Sequence, residues 1–156
     1  MSKATTRQKR KSNRLPILVI EDNADQWLII RAVLNQCFPE VEPTWLNHTM
    51  QVRSYVDAQM RDNAKLPLLI LMDLYLPTRS EGLDLLEFIK THPTYRKMPV
   101  VVLSSSAAHE DMELAYGFSI ASYIIKPGSF HDWLNCFYTF RRYWWDTVSL
   151  PLRYEA

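Results

Sequence analysis

Three glycines, two cysteines and no apolar run longer than the seven residues Leu66–Met72 mark this 156-residue chain as much by shortage as by content. So few glycines leave no Gly-rich loop after the first apolar run, which argues against a phosphate-cradling nucleotide fold. Cys37 and Cys136 lie far apart and share no Cys-x-x-Cys or Cys/His spacing. That excludes a disulfide framework and a zinc site, and leaves two buried thiols of a reduced, cytoplasmic protein. A seven-residue apolar run is too short to cross a bilayer. The N-terminal stretch is charged but has no apolar segment behind it, so it does not read as a secretory signal, and no membrane association is expected.

Acid is also missing from one place. Residues 1–14 hold Lys3, Arg7, Lys9, Arg10, Lys11 and Arg14 with no Asp or Glu, a charge of +6, so a net charge of +1 leaves −5 for the rest. Such a stretch cannot bury enough apolar surface to order itself, and it reads as a solvated basic tail rather than a nucleic-acid or lipid contact. Residues 15–150 are then expected to form one domain, which at this length buries roughly two-thirds of its unfolded surface, and 151–156 a short tail. We expect no internal repeat, no second domain and no room for a DNA-binding domain.

What the chain does have is an alternation of strand and helix signals, repeated five times, which predicts βα units around a parallel sheet. Strands are expected at 15–20, 41–46, 67–73, 99–104 and 121–126, each short, continuous and rich in β-branched residues or Leu. Helices are expected at about 24–37, with Asn23 or Asp22 as cap, then at 50–62 after Thr49, at 82–91, and at 108–117. The last helix starts near Ser129 and runs past Trp145 toward Pro151.

Four of these runs end on reactive residues. Glu21-Asp22 follows Leu15–Ile20, Asp73 follows Leu66–Met72, Ser104 follows Pro99–Leu103, and Lys126-Pro127 follows Ser122–Ile125. In an open α/β sheet, ligands bind beyond the carboxyl ends of the strands. Acids, a hydroxyl and a lysine thus converge on one crest, suited to a divalent cation and a transferable phosphoryl group. Singly, each has a plainer reading: Asp22 and Asn23 as helix caps, Asp73 and Lys126 as a structural ion pair, Ser104 as a turn residue. Their joint placement on adjacent strand ends argues against all of these at once.

Ile20-Glu21-Asp22-Asn23, Met72-Asp73-Leu74-Tyr75-Leu76-Pro77, Gly82-Leu83-Asp84-Leu85-Leu86, Val102-Leu103-Ser104 and Ile125-Lys126-Pro127 stand in one order over residues 15–147. In this the chain resembles the receiver domain of single-domain two-component response regulators. The resemblance implies a doubly wound, flavodoxin-like sheet in the order 2-1-3-4-5. It implies a switch rather than a metabolic enzyme, with Asp73 taking a phosphoryl group from a sensor histidine kinase. Glu21, Asp22, Asp73 and the Tyr75 backbone carbonyl would bind Mg²⁺, an ion that keeps several waters and takes only one or two carboxylates. Lys126 would hold a phosphoryl oxygen as a point charge, Ser104 would hold another, and Tyr123 would be the switch aromatic that turns as Ser104 moves. The change would be read on the face made by the fourth helix, fifth strand and fifth helix. A cis Lys126–Pro127 bond is implied as well. The chain departs from the family pattern between Pro77 and Gly82, where it has one extra residue and Glu81 in place of the usual Asp.

The rival readings are weaker. An aspartyl phosphatase-like Mg-dependent hydrolase would need an acid two residues after the nucleophile, where this chain has Tyr75. A scaffolding pseudo-receiver would be expected to have lost an acid or the lysine. His48, His92, His109 and His131 are scattered and suggest neither a metal site nor a phosphotransfer helix.

The final helix carries Trp133, Phe137, Phe140, Trp144 and Val148 on one face, and Leu134, Tyr138 and Trp145 on a second. A helix laid on a sheet needs one apolar face, so the second predicts a partner surface and a homodimer. The ending from Phe140 to Pro151 is similar to the extended tail of receivers that pair with phytochrome-like sensor kinases. Tyr75, bulky and without a carboxylate or amide to orient water, is expected to shield the phosphoryl group, with Ser106 too short to compensate.

Overall fold

The computed structural model describes residues 14–150. Of the expected basic tail only Arg14 falls within that span; the rest of the tail, and residues 151–156, lie outside it. The elements alternate throughout. In chain order they are β1 (Leu15–Ile20), α1 (Ala24–Cys37), β2 (Val41–Leu46), α2 (Thr49–Arg61) and β3 (Ile70–Met72). There follow α3 (Arg79–Thr91), β4 (Val100–Ser104), α4 (His109–Tyr116), β5 (Ser122–Ile125) and α5 (Phe130–Arg141). The five strands are all parallel, in the order β2-β1-β3-β4-β5.

Period-2 geometry explains why the strands are apolar without alternation. Successive strand side chains point to opposite faces, and here helices cover both. Ile17, Val19, Leu69, Leu71, Val101 and Leu103 pack with residues of α1 and α5. Leu18, Ile20, Ile70, Met72, Val100 and Val102 pack with residues of α2, α3 and α4. Each large aliphatic side chain buried this way contributes about 1.5–3 kcal/mol.

Local chemistry sets the helix starts. The Asn23 side chain accepts the Gln26 N–H at 3.0 Å and caps α1, which decides between the two expected caps and leaves the Asp22 carboxylate exposed. His48, not Thr49, caps α2 through its ring nitrogen. α3 begins three residues before the expected Gly82, because Thr78 and Glu81 form a capping box. Glu81 thus has a structural role in the very loop where the sequence departs from the family pattern. Gly82 itself is pressed against β3's exit: a Cβ there would stand 1.6 Å from the Leu74 carbonyl oxygen, so no other residue fits unless the backbone moves.

The last helix does carry on past Trp145, but in a different form. After Arg141 it widens into a π-helical segment, Arg142–Thr147, closed by the Val148 N–H on the Tyr143 carbonyl. Trp133, Phe137, Phe140 and Trp144 are buried, as one apolar face requires. The second face divides. Tyr138 is exposed, whereas Trp145 packs edge-on against Phe38 of the core, with ring centroids 6.1 Å apart. Trp145 is therefore largely a core contact. The cis proline bond is also elsewhere than implied: it is Leu76–Pro77, and Lys126–Pro127 is trans. The Lys126 N–H already bonds the Ser104 carbonyl and holds strand register up to the site, and Ser129 caps α5 three residues later, so a trans connection makes this turn.

Candidate functional site at the strand carboxyl ends

Register brings the predicted residues together. Ile20 pairs with Met72, and Met72 with Val102, while Ser104 pairs with Ile125. One residue beyond β1, β3 and β5 come Glu21, Asp73 and Lys126, with Ser104 at the end of β4 between the last two. Together with Asp22, Tyr75 and Ser104 they line one cavity of about 550 Å³.

Its centre is the Lys126 ammonium, 2.8 Å from Asp73 Oδ2 and 2.9 Å from Glu21 Oε2. All three side chains are nearly inaccessible to solvent. Burial raises the cost of every charge here, and a buried ion pair persists only when well bonded. The remaining acceptors are accordingly used. Glu21 Oε1 accepts the Asn23 N–H at 3.2 Å, and Asp73 Oδ1 accepts the Tyr75 N–H at 3.1 Å. Burial pushes the Glu21 carboxyl up to about 7, against the pull of Lys126. For Lys126, burial works to lower the ammonium, but its bonds and attraction to Asp73 and Glu21 hold it above its ordinary value.

Glu21, Asp22 and Asp73 each present a carboxylate oxygen, all within 4.8 Å of one another. Three acids against one ammonium leave an excess of negative charge, and oxygen donors suit a hard divalent cation. The donor set fits such an ion. Ser104 is fully buried beside them, its hydroxyl accepting the Ser106 N–H at 3.3 Å.

Around this centre the structure adds residues that the sequence reading did not single out. Trp45 of β2 donates its indole N–H to the Glu21 carbonyl at 2.8 Å and stacks on Trp27, fixing the backbone that carries the acid pair. Strand register could have hinted at Trp45, since its neighbour Leu46 pairs with Ile20. Asp111, in the first turn of α4, is buried although charged. It accepts hydrogen bonds from the Tyr75 hydroxyl at 2.8 Å, the Arg79 guanidinium at 3.0 Å and the Ser106 hydroxyl. No periodicity signals this, because the partners come from two loops and a helix start. The Tyr123 hydroxyl is likewise engaged, donating to the Ser106 carbonyl at 2.8 Å.

The response regulator receiver domain model matches residues 17–136. The probable methanogenesis regulatory protein FilR2 of Methanothrix harundinacea is 35% identical over 139 residues, covering 86% of this chain and 88% of that protein. The response regulator Rcp1 of Synechocystis sp. is 29% identical over 136 residues, covering 86% and 92%. Among solved structures, the phosphorylated cyanobacterial phytochrome response regulator RcpA superposes with a TM-score of 0.78 at 30% identity, covering 88% of this chain and 99% of that one. The Mn²⁺-bound form of Rcp1 gives a TM-score of 0.76 at 28% identity, with coverage of 88% and 99%. Sheet order, strand-end chemistry and a match over most of the length agree: this chain belongs to the response regulator receiver domain family and serves as a receiver in two-component signalling.

Proposed function

We propose that Asp73 is the phosphoacceptor of this receiver and that a sensor histidine kinase is its donor. The observation that carries this reading is the Lys126 ammonium held between Asp73 and Glu21 at hydrogen-bond distance. Phosphoryl transfer asks mainly for positioning and for neutralisation of negative charge, and both are built in here. An Asp73 carboxylate oxygen attacks the phosphorus of the donor phosphohistidine. The phosphorus–nitrogen bond breaks, its electron pair stays on the imidazole, and an aspartyl phosphate forms. Lys126 and the Ser104 hydroxyl then hold phosphoryl oxygens. Glu21, Asp22, Asp73 and the Tyr75 carbonyl would hold Mg²⁺, which when bound neutralises charge on the phosphoryl oxygens.

Ser104 and Tyr123 form the switch in this reading. Tyr123 is tied to the β4–α4 loop through the Ser106 carbonyl, so a Ser104 drawn toward the phosphoryl group moves the same loop that holds the ring. The output is then a changed surface over α4, β5 and α5. RcpA, named as a cyanobacterial phytochrome response regulator, supports a phytochrome-like kinase as the donor's class.

A homodimer through the end of the chain is also proposed. An apolar groove of about 610 Å³ runs between edge strand β5 and α5, lined by Ile124, Phe140, Tyr143 and Trp144, with Tyr143 about half exposed. Trp145 is spoken for by Phe38, so the probe is Tyr143→Glu. Sedimentation should show a wild-type dimer and a folded, monomeric variant; a wild type that stays monomeric at high micromolar concentration removes the dimer.

The test of the site is labelling by acetyl phosphate with Mg²⁺. Wild type should label, and Asp73→Asn should not. Label retained in Asp73→Asn would overturn the assignment.

A further inference from the structure

Tyr75 and Ser106 both line the cavity around Asp73, and both hydroxyls are fastened to one carboxylate oxygen, Asp111 Oδ2. The Asp111 side chain is only 2% accessible, although Tyr75 is exposed and Arg79 partly so. A buried charge of this kind is retained only with its hydrogen bonds made. Here Arg79 satisfies Oδ1 and the two hydroxyls satisfy Oδ2. The bonds continue inward on both sides. The Tyr75 N–H reaches Asp73 Oδ1, and the Ser106 N–H reaches the Ser104 hydroxyl. A chain of bonds thus runs from Asp73 through Tyr75, Asp111 and Ser106 to Ser104, along one side of the cavity.

An exposed loop tyrosine would otherwise sample several rotamers and leave the rim open much of the time. Bonding to a buried, charge-compensated acceptor removes that freedom. Resting on the reading of Asp73 as phosphoacceptor, we propose that Asp111 is a positioning residue that pins Tyr75 and Ser106 at the rim, restricts the approach of water, and so lengthens the life of the aspartyl phosphate. In that hydrolysis a water oxygen bonds to phosphorus and the bond from phosphorus to the Asp73 oxygen breaks. The electron pair returns to the carboxylate, and the water's protons pass to inorganic phosphate and solvent. Neither Asp111 nor Tyr75 gains or loses a bond to phosphorus. Their effect is on access alone. Because Asp111 belongs to α4, phosphoryl lifetime also becomes tied to where that helix sits.

The experiment labels wild type, Asp111→Asn, Tyr75→Phe and the double variant with acetyl phosphate and Mg²⁺, removes the donor, and follows the decay of label. Each single substitution should speed decay by about threefold to tenfold, the range that one hydrogen bond is worth. The double should decay no faster than the faster single, because both cut the same link. In Asp111→Asn, affinity for Mg²⁺ alone, read from tryptophan fluorescence, should stay unchanged, which a general loosening of the site would not allow. Should Asp111→Asn fail to fold, Tyr75→Phe removes only a hydroxyl and asks the same question. A labelled wild type with unchanged decay in either folded variant, or with multiplying effects in the double, overturns the clamp and leaves the phosphoacceptor standing. A wild type that never labels, or label that survives Asp73→Asn, fails the phosphoacceptor reading, and the clamp goes with it.

Discussion

Two buried acidic centres lie side by side on the crest of this sheet, and they are built in opposite ways. Around Asp73, three carboxylates face one ammonium, and negative charge is left over. Around Asp111, one buried carboxylate faces Arg79 and two hydroxyls, and both its oxygens are engaged, while Glu110, the other acid at Arg79, is exposed. The first arrangement is unfinished without a cation. The second is complete in itself. On the proposed reading, the contrast separates a centre for chemistry from one that holds shape, although the residue type is the same.

The largest effect should come from the unfinished centre. Glu21→Gln combined with Asp22→Asn should abolish acetyl-phosphate labelling with circular dichroism unchanged, since the excess negative charge that attracts the cation is gone. Full-rate labelling in that variant would erase the distinction drawn between the two centres. Lys126→Ala should still bind the cation yet weaken the coupling of phosphoryl group to surface, measured as a smaller spectral change on phosphorylation.

The strip joining the centres is Leu74, between Asp73 and Tyr75, and Gly82 presses on its carbonyl. Gly82→Ala should cost about 1–3 kcal/mol, the usual range for overpacking, and lower the midpoint of denaturant unfolding. An unchanged midpoint would mean that the two centres are not braced from this side.

The pH response should then tell the centres apart by sign. Ser106 chiefly, with Arg79 and Tyr75, holds the Asp111 carboxyl below its ordinary value; Glu110, 3.5 Å from Arg79, is the other acid in reach. A depressed acid contributes stability that is present above its unfolded value and lost as pH falls through its folded one. The stability difference between wild type and Asp111→Asn should therefore be level above the ordinary aspartate value of about 4 and shrink in acid. For Glu21 the folded value is raised to about 7. Its contribution, without added cation, is present below the ordinary glutamate value and is lost as pH rises through about 7. Unfolding curves of wild type, Asp111→Asn and Glu21→Gln across pH check both signs; matching signs would collapse the comparison.

The smallest effect is at the start of α3. Thr78→Ala removes a cap, costs about 1 kcal/mol, and loosens the first turn from which Arg79 reaches Asp111. Thermal unfolding should register the loss with labelling intact.

Much of this was legible beforehand because it follows from periodicity and caps. α1 and β2 occupy the spans that the sequence predicts, and Asp73, Glu21, Ser104 and Lys126 gather as strand ends in a parallel sheet must. The misses share a cause. α3 starts early because a side-chain capping box extends it, and the pairing of β3 covers less than the expected strand, 67–73. Trp145 counted as surface by its helical angle, but the chain changes to a π-helical turn there and sets the ring against Phe38.

The sequence alone determined the order of elements, the two-faced burial of the strands and the presence of acids, hydroxyl and lysine at their carboxyl ends. Those depend on neighbours along the chain and on strand register. Tertiary structure decided that Asp111 is buried, that Tyr75 bonds it instead of water, and that Trp45 steadies the acid pair. Each of those contacts joins residues far apart in sequence, and a hydrogen bond between distant side chains leaves no periodic trace. Only packing, which brings α4, β2 and the loop after β3 to one crest, selects them.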